Sequence, residues 1–196
     1  MSHLESNSNV PATKCRISKL RHSTAMWSTM MSLSGDESFC SLLGNSCQPV
    51  NPYVELLLWL CCRKRHTLPA IGLGIFESLQ PAPAVQQKLR SMTLALQQEV
   101  RELLGDDGVL IYPCHPVPAP YHNQPLLHTF NWSYTAIFNV LGLPSTAVPM
   151  GLGKQGVPIG LQVVGGPYSD RLTIAVAEEL ERAFGGWVPP FIVKQQ

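Results

Sequence analysis

Residues 142–165 read GLPSTAVPMGLGKQGVPIGLQVVG, and the fold turns on whether this stretch cradles a nucleotide or builds a sheet. Gly151, Gly153 and Gly156 match G-x-G-x-x-G by letter. A dinucleotide loop needs those glycines after a strand and at the opening of a helix. Here Val157-Pro158 and a second apolar run follow instead. Glycines at this spacing suit a hairpin, where they supply positive φ. The stretch therefore predicts strands over 145–150 and 159–164, joined by a turn at 151–156.

The flanks extend the pattern. Residues 130–141 (FNWSYTAIFNVL) predict an apolar helix stopped by Gly142 and Pro144. On the other side Ser169 can cap a helix with Asp170 in its first turn. Leu172, Ala175, Val176, Leu180 and Ala183 give that helix an apolar face, and Gly185-Gly186 ends it. Upstream, Val85, Leu89, Met92, Leu96, Val100 and Leu103 fall on one stripe of a helix over 82–104. Val109-Leu110-Ile111-Tyr112 then reads as a short buried strand after a glycine-flanked turn. Prolines 113, 116, 118, 120 and 125 make the next stretch an extended loop. The order helix, strand, loop, helix, strand, strand, helix is α/β with a mixed sheet; the pattern leaves strand pairing open.

The first part of the chain is less regular. Residues 1–18 are polar and lack periodicity, which predicts a loose tail. Short helices are expected over 25–34 and 36–43. Residues 53–62 (YVELLLWLCC) are apolar nearly all round and run into Arg63-Lys64-Arg65-His66. Ten residues of helix rise only ~15 Å, half a bilayer core. Two readings stand: a buried helix whose basic end complements its dipole, or a helix lying in a membrane interface with a basic anchor.

Composition sets the limits. Of 196 residues, 45% are hydrophobic and 14% charged, against about 25% charged in a typical domain. That excludes disorder over most of the length. A net charge of +1 gives no field for holding nucleic acid. The start, MSHLESNSNVPATK, has no apolar run of the secretory kind. Cysteines 15, 40, 47, 61, 62 and 114 form no C-x-x-C pair, so reduced thiols in an intracellular setting are expected.

A search for chemistry residue by residue yields little. Ser46 lies in Gly44-Asn-Ser-Cys-Gln48, which lacks the second glycine of a hydrolase elbow. His115, His122 and His128 match no common metal-ligand spacing. Cys114 and His115 are neighbours in an extended segment, so their side chains diverge. Asp106-Asp107 between glycines makes a good turn. No cofactor or metal site is expected.

One set of blocks does carry a resemblance. Asn139-Val-Leu-Gly142-Leu-Pro144 is followed by Pro149, Gly151, then Gly156-Val-Pro158-Ile-Gly160-Leu-Gln162-Val-Val-Gly165, Asp170, Leu172 and a helix to Glu181. Together with upstream blocks from Met26 onward, these span roughly residues 20–188 and are similar to the C-terminal part of the amidase-signature family, in the branch acting on fatty acid amides. The resemblance implies a twisted mixed sheet flanked by helices, with residues 19–196 forming the C-terminal portion of an amidase domain. It implies a catalytic serine, a second serine on a cis peptide and a lysine base, all preceding the matched region. No Gly/Ser-rich signature segment occurs in this sequence; Gly165-Gly166 precedes Pro167 and Gly185-Gly186 precedes Trp187. No catalytic residue is therefore assigned, and the chain alone is expected to be inactive. What the resemblance leaves is a pocket: Ile159 on the acyl cavity, and Leu127, Phe130, Trp132 and Tyr134 near a membrane-facing entrance. Plain core packing is the competing role for the same residues, and Gln162 reads as a buried, hydrogen-bonded polar group. The implied partners are a fatty acid amide substrate and a membrane surface in the complete protein, with self-association through uncovered apolar surface. A non-catalytic lipid-binding or interaction module is the alternative.

Overall fold

The computed structural model describes residues 4–6, 11–34, 37–45, 47–63, 65–79 and 81–189. The chain divides into two compact units, one of residues 24–93 and one of residues 1–23 with 94–196.

The first unit holds helices α1 (Ser23–Ser34), α2 (Phe39–Leu43), α3 (Pro52–Leu60), α4 (Leu68–Ser78) and the first part of α5 (Pro83–Leu104). Asn51 starts α3, its side chain accepting from Tyr53 N at 3.0 Å and Val54 N at 3.3 Å, with Pro52 at the first helical position. The free amides opening α2 are met by α4. Glu77 accepts from Phe39 N at 2.7 Å and Cys40 N at 3.1 Å. The sequence pattern does not predict α4, because Gly72 and Gly74 break its helical periodicity. Gly74 is there for contact: a Cβ on it would stand 3.0 Å from Pro52 Cβ and 3.2 Å from Cys40 Sγ.

The buried-helix reading of 53–62 does not hold. In α3 only Pro52 and Glu55 are buried, while Tyr53, Val54, Leu57 and Leu60 are exposed. The one acidic residue goes inside because His66 Nδ1 meets its carboxylate at 2.9 Å, and buried charge needs a partner.

The second unit contains strands β1 (Val109–Pro113), β2 (Ser145–Leu152) and β3 (Pro158–Gly165), with helices α6 (Ser133–Leu141) and α7 (Asp170–Phe184). The strand order is β1-β3-β2. Both pairings are antiparallel, with Val109 opposite Gly165 and Ser145 opposite Val164. The sheet expected to be mixed is thus antiparallel in all its described pairings, since the short turn returns β3 alongside β2. In that turn Gly153 N donates to Val157 O at 2.8 Å and Gly156 N to Gly153 O at 2.9 Å. Gly156 has φ +70° and Gly151 +81°, so the glycines serve a hairpin.

α7 covers one sheet face. Val148, Val163, Ala177 and Leu180 are buried together, flanked by Val109, Met150, Leu161 and Val176. Leu4, from the segment expected to be a loose tail, also packs there. The buried face of α7 is rotated from the expected one: Thr173 and Ala177 are inside, while Ala175 and Ala183 are exposed. Thr173 Oγ1 accepts from Thr146 Oγ1 at 2.9 Å and donates to Asp170 O at 2.8 Å, which lets a hydroxyl sit in the core.

α6 covers the other face with Ile137, Phe138 and Leu141, all buried. A 3-10 segment, Gln124–Trp132, leads into it and is kinked at His128. The helix therefore starts at Ser133 and not at 130 as expected. The second part of α5 buries Leu96, Val100 and Leu104. Val85 and Leu103, expected on the stripe, are 46% and 49% exposed.

Candidate functional site

Gln162 lies at the centre of a connected polar site. It is 3% exposed on the middle strand. Its Nε2 donates to Pro113 O and to Tyr134 O, each at 3.0 Å, and its Oε1 accepts from Ser145 Oγ at 3.0 Å. Two carbonyls on one side require the amide nitrogen there, which fixes the orientation of the group. The expected role of Gln162 as a buried, hydrogen-bonded group is what the structure shows. One side chain thereby ties β1, β2 and the start of α6 to β3.

Tyr134 belongs to this cluster. Its ring centroid is 5.6 Å from that of Tyr112, and Tyr112 meets Phe138 edge-on at 5.4 Å. Burial raises the Tyr112 hydroxyl above its usual pKa, with the neighbouring Tyr134 adding to the effect. Trp132 is half-buried at the end of the 3-10 segment. Leu127 is 82% exposed and Phe130 53% exposed.

Ile159 stands apart from them. Side chains alternate along a strand, so Ile159 shares the face of Leu161 and Val163, opposite to Gln162. It is exposed beside a cavity of about 360 Å³ lined by Pro158, Ile159 and Gly160 on one side and by Cys114 to Pro120 on the other. Sequence reasoning alone misses this proline-rich wall as a partner for Ile159; the run of prolines is the available signal. The structure thus brings Tyr134 to Gln162 and places Ile159 on the opposite sheet face.

His115 Nδ1 is 2.7 Å from Val117 O and 3.4 Å from Val117 N. Burial raises the Cys114 thiol above its usual pKa, which keeps it from being a ready thiolate at neutral pH. Among the described residues, no three His, Cys, Asp or Glu side chains are grouped to hold a metal.

These elements also match known proteins. The model of the Amidase family matches residues 62–174, more than half of the chain. The chain belongs to the amidase family. It is 41% identical over 194 residues to fatty-acid amide hydrolase 2 of Homo sapiens, covering 96% of this chain and 36% of that protein. It is 43% identical over 198 residues to fatty-acid amide hydrolase 2-A of Danio rerio, covering 97% and 36%. The chain therefore spans little more than a third of the length of these curated amidase relatives. Among solved structures, a glutamyl-tRNA(Gln) amidotransferase component of Thermotoga maritima matches with TM-score 0.55 and 19% identity, covering 86% of this chain and 34% of that one. A crystal structure of an amidase matches with TM-score 0.57 and 21% identity, covering 85% and 36%. At those identities the likeness is one of fold: the chain carries part of the α/β amidase fold.

Proposed function

We propose that these residues form the C-terminal part of a fatty-acid amide hydrolase, whose whole domain cleaves a fatty amide to a fatty acid and an amine. The observation that carries the reading is identity above 40% along nearly the whole chain with fatty-acid amide hydrolases 2 of human and fish. In the whole enzyme a serine attacks the amide carbonyl, a base takes its proton, the amine leaves, and water hydrolyses the acyl-enzyme. The serine and its base lie outside residues 1–196, which contain no Gly/Ser-rich segment. The chain contributes apolar wall: Ile159, beside the proline-lined cavity on its own sheet face, takes the acyl chain, where each buried CH2 is worth ~0.8 kcal/mol, and Leu127, Phe130, Trp132 and Tyr134 form a separate entrance surface. The exposed Tyr53, Val54, Leu57 and Leu60 of α3, with Arg63 and Arg65 just beyond, suit an intracellular enzyme resting on a lipid surface.

Two preparations test this. Residues 1–196 alone should show no oleamide hydrolysis above a vector-only control. A chimera in which they replace the matched stretch of Homo sapiens fatty-acid amide hydrolase 2 should hydrolyse oleamide. A well-folded but inactive chimera would overturn the reading. In the active chimera, Ile159→Trp should lower turnover of long-chain amides while sparing short ones; unchanged long-chain kinetics would remove Ile159 from the pocket.

The exposed side chains favour a second reading, a non-catalytic lipid-binding or interaction module, because Tyr121 and Leu127 are more than four-fifths exposed. That reading expects 1–196 to bind vesicles while the chimera stays inactive.

A further inference from the structure

The two adjacent cysteines that follow α3 take no part in the amide chemistry above. Tyr53, Val54, Leu57 and Leu60 form one exposed apolar stripe of α3, and Cys61, four residues past Leu57, extends it. The helix closes just there. Arg63 N donates to Leu58 O at 2.8 Å and Cys62 N to Trp59 O at 3.1 Å. This closure puts Cys62 in the left-handed region, with φ +60°, where glycine is the usual residue because a Cβ is crowded. A cysteine at a glycine position points to a use for its thiol. Cys61 and Cys62 are both exposed, and Arg63-Lys64-Arg65 follow them directly in the sequence. Two accessible thiols thus stand between an apolar stripe and a basic run. The other exposed thiols lack this setting: Cys15 lies between Lys14 and Arg16, and Cys47 between Ser46 and Gln48.

We propose that Cys61 and Cys62 are S-acylation sites, each accepting a long-chain fatty acyl group as a thioester. The thiol sulfur attacks the carbonyl carbon of a fatty acyl thioester donor of the acyl-coenzyme A class. A new C–S bond forms, the donor's C–S bond breaks, and the donor leaves as a free thiol with the cysteine's proton. No oxidant or reductant is needed. A cysteine on an amphipathic helix at a lipid surface suits this transfer, because thiol and donor are held together there. One acyl chain alone holds a protein to a membrane only reversibly, and a second chain or a basic patch makes the anchoring stable. Residues 61–65 supply both. The proposal takes from the reading above only the lipid contact of α3, and it is independent of amide hydrolysis.

The test expresses residues 1–196, alone and within the chimera, in cultured animal cells fed an alkyne-bearing palmitate, and couples a fluorophore to the purified protein. Both preparations should carry label that neutral hydroxylamine removes, the mark of a thioester. Cys61→Ser with Cys62→Ser should lower that label about tenfold or more, whereas Cys15→Ser with Cys47→Ser should leave it unchanged. Circular dichroism of each variant separates a lost site from lost folding. A second measurement needs no variant. Purified 1–196 is mixed with palmitoyl-coenzyme A and vesicles of phosphatidylcholine and phosphatidylserine, and each thiol is followed by peptide mass. Cys61 and Cys62 should acylate about tenfold or more faster than Cys15 and Cys47, and omitting the vesicles should abolish the preference. Absence of hydroxylamine-labile label on folded protein overturns the proposal. So does label that survives the double substitution at 61 and 62, and so does equal reaction at all four thiols on vesicles that bind the chain. Vesicle binding by the doubly substituted chain reports separately on the lipid contact. Binding with no acylation at the pair overturns the sites and leaves that contact standing, while label confined to the pair in cells without such binding supports the sites and removes the contact. Oleamide hydrolysis by the chimera bears on neither.

Discussion

Gln162 shows how one side chain can hold three segments that are distant in sequence. Replacing it with leucine keeps the volume but strands the carbonyls of Pro113 and Tyr134. A fully buried orphaned acceptor costs about 1–3 kcal/mol, and these two carbonyls are only part-buried, so Gln162→Leu should lower stability by about 1–3 kcal/mol in urea titration. A loss under half a kilocalorie would mean that water takes over the carbonyls. This role is legible in the sequence, because a lone amide inside Leu161-Gln-Val-Val must be paired to be buried. The burial of Glu55 is not, since its partner His66 lies past the helix end and reads as part of a basic cluster. The thiols offer a second test at this scale. Cys15, Cys47, Cys61 and Cys62 are exposed. Burial raises the pKa of Cys114, and burial together with the Glu77 carboxylate raises that of Cys40. At pH 8 a disulfide reagent should therefore modify four thiols quickly and two slowly, with all six fast in denaturant. The two slow thiols ionise more readily in the unfolded chain, so folding weakens as pH rises past the ordinary thiol value of 9.0.

Helices and strands are legible where one face is apolar, and less so where a helix face is set by contact. α5 begins and ends within a residue of its expected bounds, yet its buried stripe includes Leu104 in place of Leu103. In α7 the inward position at 173 is a threonine whose hydroxyl is satisfied locally, which no hydrophobic count detects. α4 escapes because its glycines read as punctuation. The meaning of Gly74 depends on Pro52 and Cys40, which only the fold brings near. Gly165 is a comparable contact where β3 gives way to α7. A Cβ there would come within 2.2 Å of Ser169 Oγ and 2.8 Å of Thr173 Cγ2. Gly165→Ala should therefore cost about 1–3 kcal/mol through overpacking. Ser169→Ala should recover part of the loss in a double-mutant cycle, and strict additivity would show that the crowding lies elsewhere.

At the scale of the whole chain, periodicity and turn residues carry the order of elements but leave strand pairing open, because short apolar runs do not name their neighbours. The pocket is the least legible part. The resemblance gathers Ile159 with Leu127, Phe130, Trp132 and Tyr134, whereas the strand's two-residue period divides Ile159 from the Gln162–Tyr134 side. Because β3 is the middle strand, neither β1 nor β2 has a described strand partner without it. A chain ending at Val157 should be recovered chiefly in the insoluble fraction, while the full 196 residues give the higher soluble yield; equal solubility would contradict a sheet organised around β3. The same arrangement has a consequence for synthesis. A ribosome makes Val109–Tyr112 long before it makes Gln162–Gly165, so the most apolar edge of the sheet leaves the exit tunnel first and waits. For that interval it must be sheltered by a chaperone or by whatever amidase sequence has already emerged, and a pause in translation between the two strands would prolong its exposure.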